Sequence, residues 1–273
     1  MGGRGELLAL RISGGIVAIV LLLGLIAPFV SYDPVADVDY EAQLLGPSWA
    51  HLFGTDGQGR DVALRLVKGT EAFFLPGLLA AALAVVGGAL AGAVAGYLQG
   101  LGRSVVLGGL QLLDTLPRLV FIILLCTIMN PSITLIAGVA GLLFVPAIAT
   151  VIRRKVEALG SEDYILAHVA HGFSPARILL YHILWLQCRP LLIRQATFVF
   201  GYVLFVETAL SYLGDYGVQE PTPSWGNMVA QTRDLAGQAP WPWLFPALAI
   251  VVTIAAFLSF GNLLARRDEE AIR

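Results

Sequence analysis

The sequence predicts an all-α membrane protein with six transmembrane helices, and three observations carry that prediction. Hydrophobic residues make up 57% of the 273-residue chain and charged residues only 13%, about half the charged share of a soluble domain. Mean hydropathy is +0.78. Six windows are long and apolar enough for a helix across the hydrocarbon core, which takes ~20 residues: 12–31, 73–97, 105–129, 133–152, 191–213 and 244–264. The cationic residues between these windows are unevenly shared. One set of loops and ends holds Arg4, Arg11, Arg103, Arg153, Arg154, Lys155, Arg177, Arg189, Arg194, Arg266, Arg267 and Arg273, and the other only Arg60, Arg65, Lys68 and Arg233. Cytoplasmic loops are the Lys/Arg-rich ones, so both termini are expected inside.

Taken in order, the first window follows a basic residue, as a signal peptide does. Its length and the poor cleavage site Ala27-Pro-Phe-Val predict a retained helix instead. The outer loop 31–70 is acidic early (Asp33, Asp37, Asp39, Glu41) and rich in Gly and Pro. Its segment Gly54-Thr-Asp-Gly-Gln-Gly-Arg-Asp61 lacks the lysine of a phosphate-binding loop and lies on the outer side, which excludes an ATP site of that type. A division into 1–72, one helix plus this loop, and a five-helix core over 73–273 follows.

The second crossing carries Ala80, Ala84, Gly88, Gly92 and Gly96 four apart. Helices in lipid associate through close backbone approach over small residues, so this face is expected against another helix. That helix belongs either to this chain or to a second subunit. The third crossing contains Asp114, Pro117 and Arg118. An Asp114–Arg118 pair at i, i+4 offsets part of the burial cost, and Pro117 frees a carbonyl one turn earlier. Glu207 lies deep in the fifth crossing. Ionisable groups inside a membrane read either as pathway or proton sites or as buried, hydrogen-bonded structural groups, and both readings stand for Asp114 and Glu207.

Between crossings four and five, within a connecting loop over 153–190, the stretch 159–184 is polar and charged, and Arg153, Arg154 and Lys155 lie just before it. Ser161 is positioned to cap a short helix with Glu162 and Asp163 in its first turn, where negative charge suits the dipole. Gly172 is the natural stop. Ser174 caps a second helix with Pro175 at its first position. The interval is either a contact for a soluble partner or an ordinary connection. In the outer loop 212–243, Trp241 and Trp243 are expected as headgroup anchors, and Trp225 within an ordered loop.

Other chemistry is absent. Cys126 and Cys188 form neither a disulfide framework nor a metal spacing. His168, His171 and His182 lack a carboxylate or cysteine to complete a metal face, and are read as solvated or partner-facing. No nucleophile–base arrangement stands out. A net charge of -2, with no basic stripe carrying interleaved aromatics, gives no sign of nucleic acid.

Several strings then resemble one family over nearly the whole chain: the permease C subunit of bacterial peptide/nickel-type ABC importers, the dipeptide and oligopeptide permease group. His51-Leu-Phe-Gly-Thr-Asp-Gly-Gln-Gly-Arg-Asp-Val62 resembles the family loop H-P-L-G-T-D-x-x-G-R-D-V. Asp114-Thr-Leu-Pro117 is similar to its third-helix signature, at shorter spacing. Glu207-Thr-Ala-Leu-Ser-Tyr-Leu-Gly214 and Gly217-Val-Gln-Glu-Pro-Thr-Pro-Ser-Trp-Gly226 resemble E-a-a-L-S-F-L-G-l-G-V-q-P-P-t-P-S-W-G. Pro240-Trp and Phe245-Pro246 echo the approach to the last helix.

The resemblance implies a type I importer permease of MetI-like architecture in the bacterial inner membrane. Its coupling helix, in the family's EAA loop, would dock an ATPase through Ser161, Glu162, Asp163, Tyr164, Ala167, His168, His171, Gly172, Phe173 and Ser174. It further implies a homologous permease partner, two ATP-binding subunits holding ATP and Mg, and an extracytoplasmic binding protein. No cofactor and no catalysis are expected on this chain. Departures from the pattern are Leu166 at the EAA glutamate position, His168 and Val169 after it, Trp185 for a proline, an extra residue around Asp215-Tyr216, and a tail without the family's G-D and D-P elements. A nickel or metal-chelate importer and a stand-alone carrier using Asp114 and Glu207 are the alternatives.

Overall fold

The computed structural model describes residues 3–129, 132–160, 162–213 and 216–272. It contains α1 (Gly3–Ile26), α2 (Val62–Gly69), α3 (Glu71–Tyr97), α4 (Gly100–Asp114), α5 (Arg118–Met129), α6 (Ile133–Leu159), α7 (Asp163–Ala170), α8 (Pro175–Arg177), α9 (Arg189–Tyr212), α10 (Trp225–Thr232) and α11 (Trp241–Ile272). A π-helical segment, Ile178–Trp185, continues α8 toward α9. Among the described residues there is no strand, only an isolated bridge between Thr55 and Asp61.

Among the described residues, five helical stretches are long and apolar enough to cross a membrane, and the third expected crossing is a bent pair, α4 and α5, at 71° to each other. The break has a local cause. Pro117 has no N–H to donate, its ring clashes with the carbonyl four residues back, and it pushes Leu116 away from helical backbone. Neither half, at about 22 and 18 Å of rise, crosses the ~30 Å hydrocarbon core alone.

The largest helix–helix interface joins α3 to α6, so the partner of the small-residue face lies in this chain. Ala84 is fully buried. A Cβ on Gly88 would lie 2.5 Å from Ile148 Cβ, on Gly92 2.5 Å from the Ala149 carbonyl oxygen, and on Gly96 2.8 Å from Val156 Cβ. Gly141 of α6 reciprocates, its Cβ position 2.7 Å from the Ala80 carbonyl oxygen. In lipid such contact, rather than expulsion of water, holds helices together.

α9 and α11 run antiparallel. Arg189 pairs with Asp268, Phe200 stacks on Phe257 with centroids 4.2 Å apart, and Gly201 faces Ile254. α1 lies along α11, with Val17 and Val20 buried in a cluster that includes Phe73, Leu204 and Phe257. The bundle therefore has two distinct ends. One carries the start of α1, the end of α11 (Arg266–Glu6, 3.9 Å) and the loop containing α7. The other carries the loops before α2 and around α10.

That second end is closed by an ion cluster with a buried core. Asp61 caps α2 by accepting from the Leu64 N–H at 2.9 Å, which presents Arg65 inward. Arg60 Nε donates to Asp56 Oδ2 at 2.9 Å, and Arg65 also donates to that oxygen. Both guanidinium groups reach Glu220, Arg60 at 3.0 Å and Arg65 at 2.8 Å. Asp56, Arg60 and Arg65 are 2%, 4% and 1% exposed. Burial works against the Arg60 charge, but Asp56 and Glu220 outweigh it and hold its pKa above the ordinary value. Trp225 Nε1 donates to the Leu66 carbonyl at 2.7 Å.

Trp241 differs from the headgroup anchor expected of it. Its Nε1 donates to the Thr55 carbonyl at 3.1 Å, and its ring fills the space beside Gly54, whose φ of +73° admits glycine readily.

Candidate functional site

The interval after α6 forms a compact protruding loop. Ser161 lies outside the described residues. Glu162 is exposed and precedes α7, which has Asp163 in its first turn. Ile165 is 4% exposed and packs into the same buried cluster as Val156, Ile178 and Ile183, so one side of α7 is anchored to the bundle. Tyr164, Ala167 and His171 are exposed. His168 and His171 each use Nδ1 to donate to a carbonyl one turn back, Tyr164 at 2.5 Å and Ala167 at 2.7 Å.

The helix ends by a specific device. Gly172 has φ +80°, and the Phe173 N–H donates to the His168 carbonyl at 3.1 Å, the 6→1 bond of a Schellman stop. Nothing lies within 4 Å of a Cβ built on Gly172, so its requirement is conformational rather than steric. Ser174 then accepts from the Arg177 N–H at 3.3 Å, with Pro175 beginning the next helix.

A ring cluster holds the turn. The His168 ring lies 4.1 Å from that of His182 and 5.1 Å from that of Phe173, and the Arg177 guanidinium lies 4.5 Å over Phe173. His182 Nε2 is buried without a hydrogen-bond partner. Burial, then His168 and Arg177, lowers the His182 pKa below the ordinary histidine value. Tyr181 and Trp185 project outward from the π-helical segment, 51% and 59% exposed.

The intramembrane acids occupy different environments. Asp114 ends α4 at the bend; its carboxylate is 60% exposed and 3.7 Å from Arg118, too far for a hydrogen bond. It lines a shallow cleft of about 270 Å³ with Gln111, Thr150 and Arg153. Glu207 is fully buried. Its Oε1 accepts from Ser211 Oγ at 2.7 Å, and Oε2 faces the first turn of α10 beside Gly226. A Cβ on Gly226 would come within 2.8 Å of Thr208 Cα, so glycine lets α10 approach α9. A capping box between Ser224 and Asn227 starts α10, which places the carboxylate of Glu207 at the positive end of that helix. The structure thus keeps the two acids apart: Glu207 braces the closed end, and Asp114 lies at the break.

Sequence reasoning missed the Asp56–Arg60–Arg65–Glu220 cluster. Its one local signal is a pair of arginines flanking the capping residue Asp61, and the last partner is more than a hundred and fifty residues away. No group of three or more His, Cys, Asp or Glu among the described residues is arranged to hold a metal ion.

Comparison with known proteins agrees with this architecture. The dipeptide transport system permease protein DppC of Alkalihalophilus pseudofirmus is 32% identical over 250 residues, covering 90% of this chain and 81% of that protein. The probable D,D-dipeptide transport system permease protein DdpC of Escherichia coli is 30% identical, covering 92% and 83%. A putative peptide transport system permease protein of Brucella suis is 31% identical, covering 92% and 84%. The family described as binding-protein-dependent transport system inner membrane component matches residues 84–269. With its bent third span and the short helix between α6 and α9, the chain belongs to that family: it is an ABC-transporter permease component of the inner membrane.

Proposed function

We propose that this chain forms half of the translocation path of an ATP-driven peptide importer. A homologous permease subunit supplies the other half. Two separate ATPase subunits, which bind ATP and Mg, grip the loop from 161 to 174, and an extracytoplasmic binding protein meets the end closed by Asp56, Arg60, Arg65 and Glu220. The chain itself performs no chemistry. The observation that carries this reading is the short exposed helix α7, anchored on one side by Ile165 and stopped at Gly172. Such a helix transmits a push from below to α6 and α9 as a lever. The cationic residues around α7, including Arg153, Arg154, Lys155 and Arg177, support a cytoplasmic location for that end and for both termini. The names of the relatives favour a peptide over nickel as cargo. Glu207 braces the closed end, and Asp114 is the more exposed of the two acids.

The test uses the assembled complex in vesicles. Replacing Gly172 with valine forces a β-branched residue into left-handed backbone, at a cost of roughly 1–2 kcal/mol confined to the loop. Insertion and co-purification with the ATPases are expected to persist, while peptide uptake per ATP hydrolysed drops severalfold. Uptake that proceeds at the normal ratio, or without any ATP-hydrolysing subunit present, would refute the reading.

A further inference from the structure

A second cleft, of about 310 Å³, opens between α5, α6, α9 and α11, at the low end of ligand-sized cavities. Its polar lining consists of Arg118, Arg194, Gln195 and Asn262, with Phe144 and Phe198 beside them and no carboxylate among the lining residues. Arg118 is the first residue of α5, at the break of the third span, and its Nε donates to the Leu143 carbonyl at 3.1 Å. That bond places the guanidinium level with the middle of α6, where a cation is costly unless it has a use. Its plane lies 4.2 Å over the Phe144 ring. Asp114 lies 3.7 Å from one Nη of Arg118, beyond hydrogen-bond reach, and lines the separate cleft on the other side of α6. Arg194, in the second turn of α9, is tethered by Glu269 at 3.1 Å through one Nη, while its Nε is buried without a partner.

Two guanidinium groups and two carboxamides around one apolar-walled cleft make a site for an anion carrying an adjacent amide. Arginine forks match a carboxylate in bidentate fashion. The side-chain amides of Gln195 and Asn262 can both donate and accept, as a peptide bond requires. An ammonium group would meet two like charges. We propose that this cleft receives the C-terminal carboxylate of a peptide in transit, so that cargo passes with its carboxylate end turned toward Arg118 and Arg194. The inference rests on the transport reading above and adds the part of the cargo that this chain recognises.

The experiment compares uptake of one short peptide as its free acid and as its C-terminal amide. The whole complex is reconstituted in phosphatidylcholine vesicles, so that no anionic headgroup competes, and each peptide is supplied at concentrations saturating the binding protein. Arg118→Gln and Arg194→Gln are each expected to lower uptake of the acid about tenfold, the scale of one lost charge-assisted contact, while the amide changes less than about twofold. Arg118→Lys, which keeps the charge and loses the fork, should fall between. Equal change for acid and amide in both glutamine variants overturns the carboxylate site while the transport reading stands. An unmodified complex that takes up neither peptide overturns the transport reading and this site with it.

Discussion

At one end of the bundle paired charge has a buried core; at the other the ion pairs lie nearer the surface, as in Arg194–Glu269 and Arg266–Glu6. The closed end joins two loops distant in sequence through Asp56, Arg60, Arg65 and Glu220, and adds the indole bonds of Trp225 and Trp241 to backbone carbonyls. Among the described residues, the α7 loop has no comparable network. Its fixings are a few apolar contacts through Ile165, Ile178 and Ile183, a ring cluster around His168, and a glycine stop. The difference teaches how such a subunit divides its labour. A region that holds distant loops together gains from paired buried charges, because removing one partner strands the others. On the proposed reading, a region that moves relative to the bundle keeps its fixings few, and the exposed Tyr164, His171, Tyr181 and Trp185 are left for a partner.

The sharpest way to break this comparison is Asp56→Ala. It leaves two buried guanidinium groups with only Glu220, and should destabilise the protein by about 3–5 kcal/mol. Thermal unfolding in detergent reads this directly, and a loss no larger than that of an exposed α7 substitution such as His171→Ala would erase the contrast. Next in size, Gly92→Val drives a branched side chain into the Ala149 carbonyl and Ile152. A cost of about 1–3 kcal/mol is expected from overpacking, with cysteine cross-linking between α3 and α6 reporting the separation.

The smallest effect concerns pH. Because His182 has its pKa lowered by burial in the α7 loop, the folded loop favours the neutral ring. The stability tied to that preference is intact above the ordinary histidine pKa of about 6.5 and is lost as pH falls through the lower folded value. Acidification from about pH 7 to about pH 5 should therefore loosen the His168–His182 contact and raise hydrogen exchange in α7. His182→Gln should show a flatter pH profile, whereas exchange at the closed end should not respond to that substitution. If both ends respond alike, the two regions are not independent.

Much of this fold was legible in the chain because its signals are local. Ser174-Pro175, Gly172 and the apolar runs each act within one turn or one span, and the helices begin and end near them. The break at Thr115–Pro117 was half legible: Pro117 announced a disturbed helix, but an apolar window averages over it and reads one crossing. Trp241 was misread as a headgroup anchor, since an indole N–H takes whichever acceptor the fold supplies, here the Thr55 carbonyl. The cleft lined by Arg118 and Arg194 gave no linear sign, as its walls come from four helices.

By itself, then, the amino-acid order determined how many apolar segments seek the membrane, where short helices start and stop, and which face of α3 is smooth enough for another backbone. These follow from hydration of side chains and from the torsions of single residues. Only the tertiary structure decided that α6 covers that face, that Glu207 braces α10, and that Glu220 completes a cluster begun at Asp56. Those outcomes depend on which distant groups satisfy one another once water is removed.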